Sequence, residues 1–308
     1  MATTATTPSR TTTATTTWAF PLKYFVMAFA FTWFFWGLQL LGVRGVIPTL
    51  PGLTGIATLG PLVAAVVVTA QERGRAGLRS LLSRVLRWRA APIWYAVALL
   101  GPLVLTLGAI GLHVALGGQP PSLGSLIGVL PMVLIAFVFM MIFVALGEEV
   151  GWRGYALPAL QARYGALASS AILGGMWGLW HLPLFFNPSA GSYSDLPFGL
   201  WLAYLIPFAI LITWVFNSTG GSVLMAMFVH AVMNASGEVW KAIPQYSTRP
   251  ESVIEAAAET GHVYLMLTIA MWVAAVAVLL VYGSRNLSRR PRQKSAAASG
   301  ESRPTREQ

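Results

Sequence analysis

Eight apolar stretches, near residues 24–43, 53–70, 93–116, 125–147, 168–186, 197–216, 221–236 and 263–283, alternate with polar connections along the chain. A helix needs about 20 largely apolar residues to cross a bilayer core, and most of the stretches reach that length or come close to it. The pattern predicts an all-α fold, a polytopic membrane bundle of about eight transmembrane helices enclosing a buried polar site. The two stretches after Phe198 are separated only by Asn217–Gly221, which reads as a tight turn. The one containing His230 is short and interrupted by polar residues, as functional membrane helices often are. A helical domain over 23–283 is thus flanked by a Thr-rich tail, 1–22, and a basic tail, 284–308. Neither tail offers an apolar face, so both are expected to stay unfolded. The first stretch is longer than a signal-peptide core and no small-residue cleavage site follows it, so it reads as a retained helix.

Composition strengthens this reading. Of 308 residues, 56% are apolar and 10% charged, far from the balance of a soluble domain. The net charge of +10 could suggest nucleic acid, but its distribution follows topology instead. With the amino terminus in the cytoplasm and eight crossings, seventeen of the twenty basic residues fall inside, leaving Arg44, Lys241 and Arg249 outside. Both termini are therefore expected in the cytoplasm of a multi-pass cell-membrane protein, with the bilayer and not nucleic acid as its partner. The basic segment from Gln71 to Arg89 reads mainly as a topology determinant, with contact to anionic lipid as the alternative.

Candidate chemistry is narrowed by what is missing. The chain has no cysteine, which removes thiol nucleophiles, disulfides and thiolate-bound metals. Its one aspartate, Asp195, cannot form an aspartyl dyad, and no HExxH, GxGxxG or P-loop occurs. The stretch Asn234-Ala235-Ser236-Gly237 lacks the first glycine of a serine-protease turn. What remains is glutamate and histidine. Glu148, Glu149 and Arg153 follow an apolar run, at a depth where each ionisable group costs roughly 2.5–3.5 kcal/mol on insertion scales, so such a cluster points to an internal site. His181 and His230 also lie within apolar stretches, with Trp177 and Asn234 one helical turn away on the same faces. His113 and His262 fall near helix ends and are assigned to the membrane interface.

Neighbouring helical residues point about 100° apart, so Glu148 and Glu149 must differ in role. Glu149 and Arg153 form an i,i+4 ion pair in which arginine neutralises and orients the carboxylate. Glu148 keeps a free carboxyl that can take a proton from water, His181 can hold that water, and His230 with Asn234 can donate to an oxyanion. At 1.5 Å per residue, with the glutamate helix running to about Tyr155 before Pro158 stops it, Glu148 lies roughly 10 Å, His230 roughly 14 Å and His181 roughly 20 Å from the cytoplasmic face, so convergence requires a tilted or bent helix. A structural ion-pair network is the bland alternative for the same residues.

In order and spacing these residues resemble the CPBP intramembrane protease family, which includes the type II CAAX prenyl endopeptidases and the Abi-like proteins. Its EExxxR motif corresponds to Glu148 through Arg153, its FxxxH to Trp177 through His181 with tryptophan in place of phenylalanine, and its HxxxN to His230 through Asn234. The resemblance covers about 125–240. It implies an endopeptidase acting on a membrane-associated or lipid-modified peptide or protein, with Glu148 and His181 handling water and His230 and Asn234 stabilising the oxyanion. Two versions stay open, a metal-free one and a metalloprotease in which Glu148, His181 and His230 ligate zinc. A proton-coupled transporter using the buried Glu and His residues and a non-catalytic membrane scaffold are the competing functions.

Overall fold

The computed structural model describes residues 20–247 and 252–290. Among the described residues there are helices, turns and no strand. In chain order the helices are α1 (Leu22–Val43), α2 (Leu53–Ala57), α3 (Gly60–Val85), α4 (Pro92–Ala115), α5 (Leu123–Phe139), α6 (Leu146–Gly151), α7 (Leu157–Arg163), α8 (Ala166–Trp180), α9 (Ser192–Asp195), α10 (Phe198–Ser218), α11 (Val223–Ser236), α12 (Pro244–Ser247) and α13 (Val253–Tyr282). Seven helical runs among the described residues are long and apolar enough to cross a membrane. This is a multi-pass membrane bundle.

The eighth expected crossing is built differently. α8 has only 15 residues, about 22 Å, and continues after His181 as the 3-10 turn Leu182–Phe186, which adds about 10 Å. Together they match a hydrocarbon core of about 30 Å. Hydrogen bonds fix both ends of this composite: Ala166 and Leu167 N–H donate to the carbonyls of Arg285 and Ser284, while Arg44, just past α1, donates to the carbonyl of Phe186. Midway, the indole N–H of Trp33 on α1 donates to the carbonyl of Trp180 at 2.9 Å.

The longest run, Leu123–Arg163, is α5, α6 and α7 joined by two π-helical turns, Met140–Ala145 and Trp152–Ala156. Pro158 does not end it, contrary to the sequence expectation. The second wide turn interrupts the regular hydrogen-bond ladder just before Pro158, which then lies at the start of α7, where its missing N–H costs little. The two halves of the run face different surroundings. In α5 only Val133 is buried, and Leu130, Leu134, Ile135, Val138 and Phe139 point outward, as lipid-facing residues do. In α6, Gly147 through Gly151 are all buried.

Small residues make that burial possible. A Cβ on Gly147 would lie 2.9 Å from the carbonyl oxygen of Thr58, and one on Gly151 would lie 2.4 Å from that of Pro61. The spacing Gly147-xxx-Gly151 thus lets α6 lie backbone to backbone against the start of α3, a packing mode suited to membranes, where small residues allow close helix approach. On α8, Gly174 meets α10 in the same way, with Ile206 Cα 2.9 Å from where its Cβ would be. The turn between α10 and α11 is as tight as expected, with Gly220 and Gly221 both at positive φ.

The expected tails fall largely outside the described residues. Residues 284–290 are described; they lie against the start of α8, with Leu287 buried and the Asn286 carbonyl accepting from the side-chain amide of Asn217 at 2.7 Å. His113 is not exposed. It is buried, its Nδ1 lies 3.0 Å from Nε2 of His262, and Trp240 and Tyr246 cover the ring. A polar ring at a helix end acquires a partner when another helix end packs over it, and the position of the residue alone does not report this.

Candidate active site

α6 and α11 carry four of the candidate residues, the wide turn after α6 adds Arg153, and His181 directly follows α8. Burial comes first. Glu149 and Arg153 have no exposed surface at all, and Glu148, His181 and His230 keep only 2–5% of theirs. Burying that many polar groups is unfavourable unless they satisfy one another.

Glu149 is the pivot. Its Oε1 accepts from Nη1 of Arg153 at 2.7 Å and from Nδ1 of His230 at 2.8 Å, so one carboxylate oxygen ties the wide turn to α11. The pairing of Glu149 with Arg153 was legible from their i,i+4 spacing; the addition of His230 was not. The rest of the guanidinium lies against the face of Trp177, with Cζ 4.7 Å from the ring centroid, a cation–π contact inside a low-dielectric interior.

Glu148 is held by different partners. Nε1 of Trp177 donates to its Oε2 at 2.6 Å, and Nε1 of Trp152 reaches the same atom at 3.4 Å. Neither indole donates to Oε1. As the sequence implies, the two glutamates diverge, one into a charged pair and the other into a cage of aromatic N–H donors.

His181 turns Nδ1 to the main-chain carbonyl of Trp177 at 2.8 Å. A carbonyl can only accept, so Nδ1 carries the hydrogen and, in the neutral ring, Nε2 has the free lone pair. The ring is packed among Trp180 at 4.6 Å, Trp201 at 5.0 Å and Tyr193, which stacks on it at 5.5 Å. By the same logic His230 Nδ1 is a donor to Glu149, and its Nε2 can donate only when the ring carries both protons. Asn234 stands one turn further along α11 at the edge of the cluster. Its Nδ2 lies 3.8 Å from Sδ of Met140, in the first wide turn, and it makes no hydrogen bond to the other five candidates.

Sequence reasoning missed two participants. The sequence puts Trp177 on the face of His181 in place of phenylalanine and gives Trp152, inside EExxxR, no role. The available signal was their i,i+4 placement, Trp152 after Glu148 and Trp177 before His181, combined with the fact that indole has an N–H and phenylalanine does not.

The donor set does not fit a metal. Zinc requires protein ligands converging about 2.0–2.2 Å from one point. Among the described residues no three His, Cys, Asp or Glu side chains are arranged to hold an ion. The conditional ligand set of Glu148, His181 and His230 is therefore not assembled. The Trp177 ring packs against both imidazoles, its centroid 6.3 Å from that of His181 and 5.2 Å from that of His230. Its N–H also occupies Oε2 of Glu148. No step below passes through a metal.

Residues 130–236 match the profile of a family described as type II CAAX prenyl endopeptidase Rce1-like. The chain is also 26% identical over 238 residues to a protein named CAAX prenyl protease 2 from Methanococcus maripaludis, an alignment covering 71% of this chain and 84% of the relative. The matched segment contains all six candidate residues, on the helical runs that assemble them.

Proposed function

We propose that this chain, whose residues 130–236 match the Rce1-like family of type II CAAX prenyl endopeptidases, is a CAAX-type intramembrane peptidase with Glu148 as its general base. The substrate in this reading is a membrane-associated peptide or protein carrying a lipid, of the kind named by the relative, cleaved with both termini of the enzyme in the cytoplasm. Glu148 takes a proton from a water held between its Oε1 and Nε2 of His181, and the water oxygen adds to the scissile carbonyl. The oxyanion that forms is stabilised by Nδ2 of Asn234 and by Nε2 of His230 when that ring is doubly protonated. Collapse of the tetrahedral intermediate transfers the proton from Glu148 to the departing amine.

One observation supports this reading most. A buried carboxylate has one oxygen fixed by indole donors, leaving the other without an indole donor, and two imidazoles flank the same tryptophan. A base requires one oxygen free to meet water, and Oε1 of Glu148 is engaged by neither the indoles nor an ion pair. Full-length protein in liposomes, offered a panel of farnesylated peptides ending in CAAX together with unprenylated transmembrane peptides, tests it. Glu148→Gln should lower turnover by about 10²–10⁴-fold on the peptide that the wild type cleaves, with the fold retained. Wild-type turnover in a folded Glu148→Gln protein would remove Glu148 as the base.

A further inference from the structure

A carboxylate that is to act as a base toward a held water must keep its plane in one orientation. On an isolated glutamate that plane turns freely about the last side-chain bond. Here the rotation is opposed from two directions. The Trp177 N–H approaches Oε2 from α8 and the Trp152 N–H approaches it from the wide turn after α6, the first at a short charge-assisted distance.

Both indoles are themselves immobilised. Trp152 has no exposed surface and packs edge to face on Tyr24 at 5.8 Å and on Trp180 at 5.8 Å. Trp177 stacks on Phe208 at 5.6 Å on one contact and carries the Arg153 guanidinium on another. Its main-chain carbonyl meanwhile sets the tautomer of His181. The residue thus orients both groups proposed to handle water, the carboxylate through its side chain and the imidazole through its backbone.

We propose that Trp177, assisted by Trp152, is a positioning residue of the hydrolysis: its indole N–H pins Oε2 of Glu148 and so presents Oε1 to water. This rests on Glu148 being the base. A phenylalanine, the residue of the motif this segment resembles, would fill the same space without performing the task. The packing role and the hydrogen-bonding role of Trp177 are therefore separable by chemistry.

The test uses the full-length chain in liposomes and the peptide found to be cleaved in the panel above. Three proteins are compared with wild type: Trp177→Phe, a chain carrying benzothienylalanine at position 177, in which sulfur replaces the indole N–H at nearly unchanged shape, and Trp152→Phe. Loss of one hydrogen bond to a charged group predicts that kcat falls at least about tenfold with benzothienylalanine at 177, with KM within about twofold and the melting temperature unchanged. Trp152→Phe, which loses the longer bond, should fall less than this. A smaller fall with benzothienylalanine, or one carried by KM, overturns the proposal, and this near-isostere decides the matter even if Trp177→Phe folds poorly. Glu148→Gln in parallel separates the two failures. If it is inactive while the 177 variants turn over normally, only the indole proposal is lost; if it turns over normally, the reading of the base is lost first.

Discussion

Arg153 is fully buried, and only one of its nitrogens donates a hydrogen bond, to Glu149; Nε and Nη2 have no protein acceptor. Its charge is balanced by that carboxylate and by the π face of Trp177. Removing one partner of a buried pair leaves the other charge uncompensated, which typically costs about 3–5 kcal/mol. Arg153→Ala should therefore lower the thermal unfolding midpoint in detergent markedly as well as reduce activity. An unchanged midpoint with reduced turnover would show that the pair contributes nothing to stability. At this scale the sequence revealed some contacts and not others. Glu149 and Arg153 are joined by helical spacing, a local relation. The bond from His230 to the same oxygen joins residues 81 positions apart, and nothing in the order of residues reports which carboxylate an imidazole on another helix will meet. Trp177 was hidden for another reason: an aromatic in an apolar helix looks the same whether it packs or donates.

The helices show how much depends on which side of an element faces its neighbour. Gly174 and Gly175 are adjacent on α8, yet a Cβ on the first would meet the α10 backbone at 2.9 Å, whereas one on the second would meet nothing within 4 Å. Gly174→Ala should destabilise the protein by forcing α8 and α10 apart, and Gly175→Ala should be neutral or slightly stabilising through helix propensity. Melting temperatures of the two variants check this, and equal values would mean that the α8–α10 contact is looser than it is drawn here. Hydropathy located the long apolar helices, because burial in lipid imposes the same composition on each. It did not reveal that α8 stops after 15 residues and completes its crossing as a 3-10 turn, nor that Pro158 falls after a wide turn. Both depend on backbone geometry to which apolar content is blind.

For the molecule as a whole, the proposed orientation puts most basic residues on the cytoplasmic side. Arg79 is exposed on the extension of α3 and Glu255 at the start of α13, and counting α8 with its 3-10 continuation as a crossing puts the two on opposite sides. Because the chain has no cysteine, Arg79→Cys and Glu255→Cys each provide a single thiol. A membrane-impermeant maleimide applied to intact cells should label the second and not the first, and the reverse result would invert the topology. That the fold is a polytopic helical bundle was legible because lipid thickness acts on long segments, seven of which are long and apolar enough to span. The meeting of α6, α8 and α11 was not, since it is made by side-chain bonds between residues far apart in the chain, Trp177 to Glu148 and His230 to Glu149.

The two wide turns around α6 have a further consequence. The run from Leu123 to Arg163 changes allegiance along its length: its first part belongs to the acyl chains and its later part to the interior, and the hand-over takes place where the winding loosens. In such a segment the gain or loss of a single residue is a change of phase of about 100° rather than a change of length. One deletion would swing both acids toward hydrocarbon while leaving the rod long enough to span. Exchanging a side chain in place keeps that phase, whereas a change of length in the regular winding ahead of α6 does not.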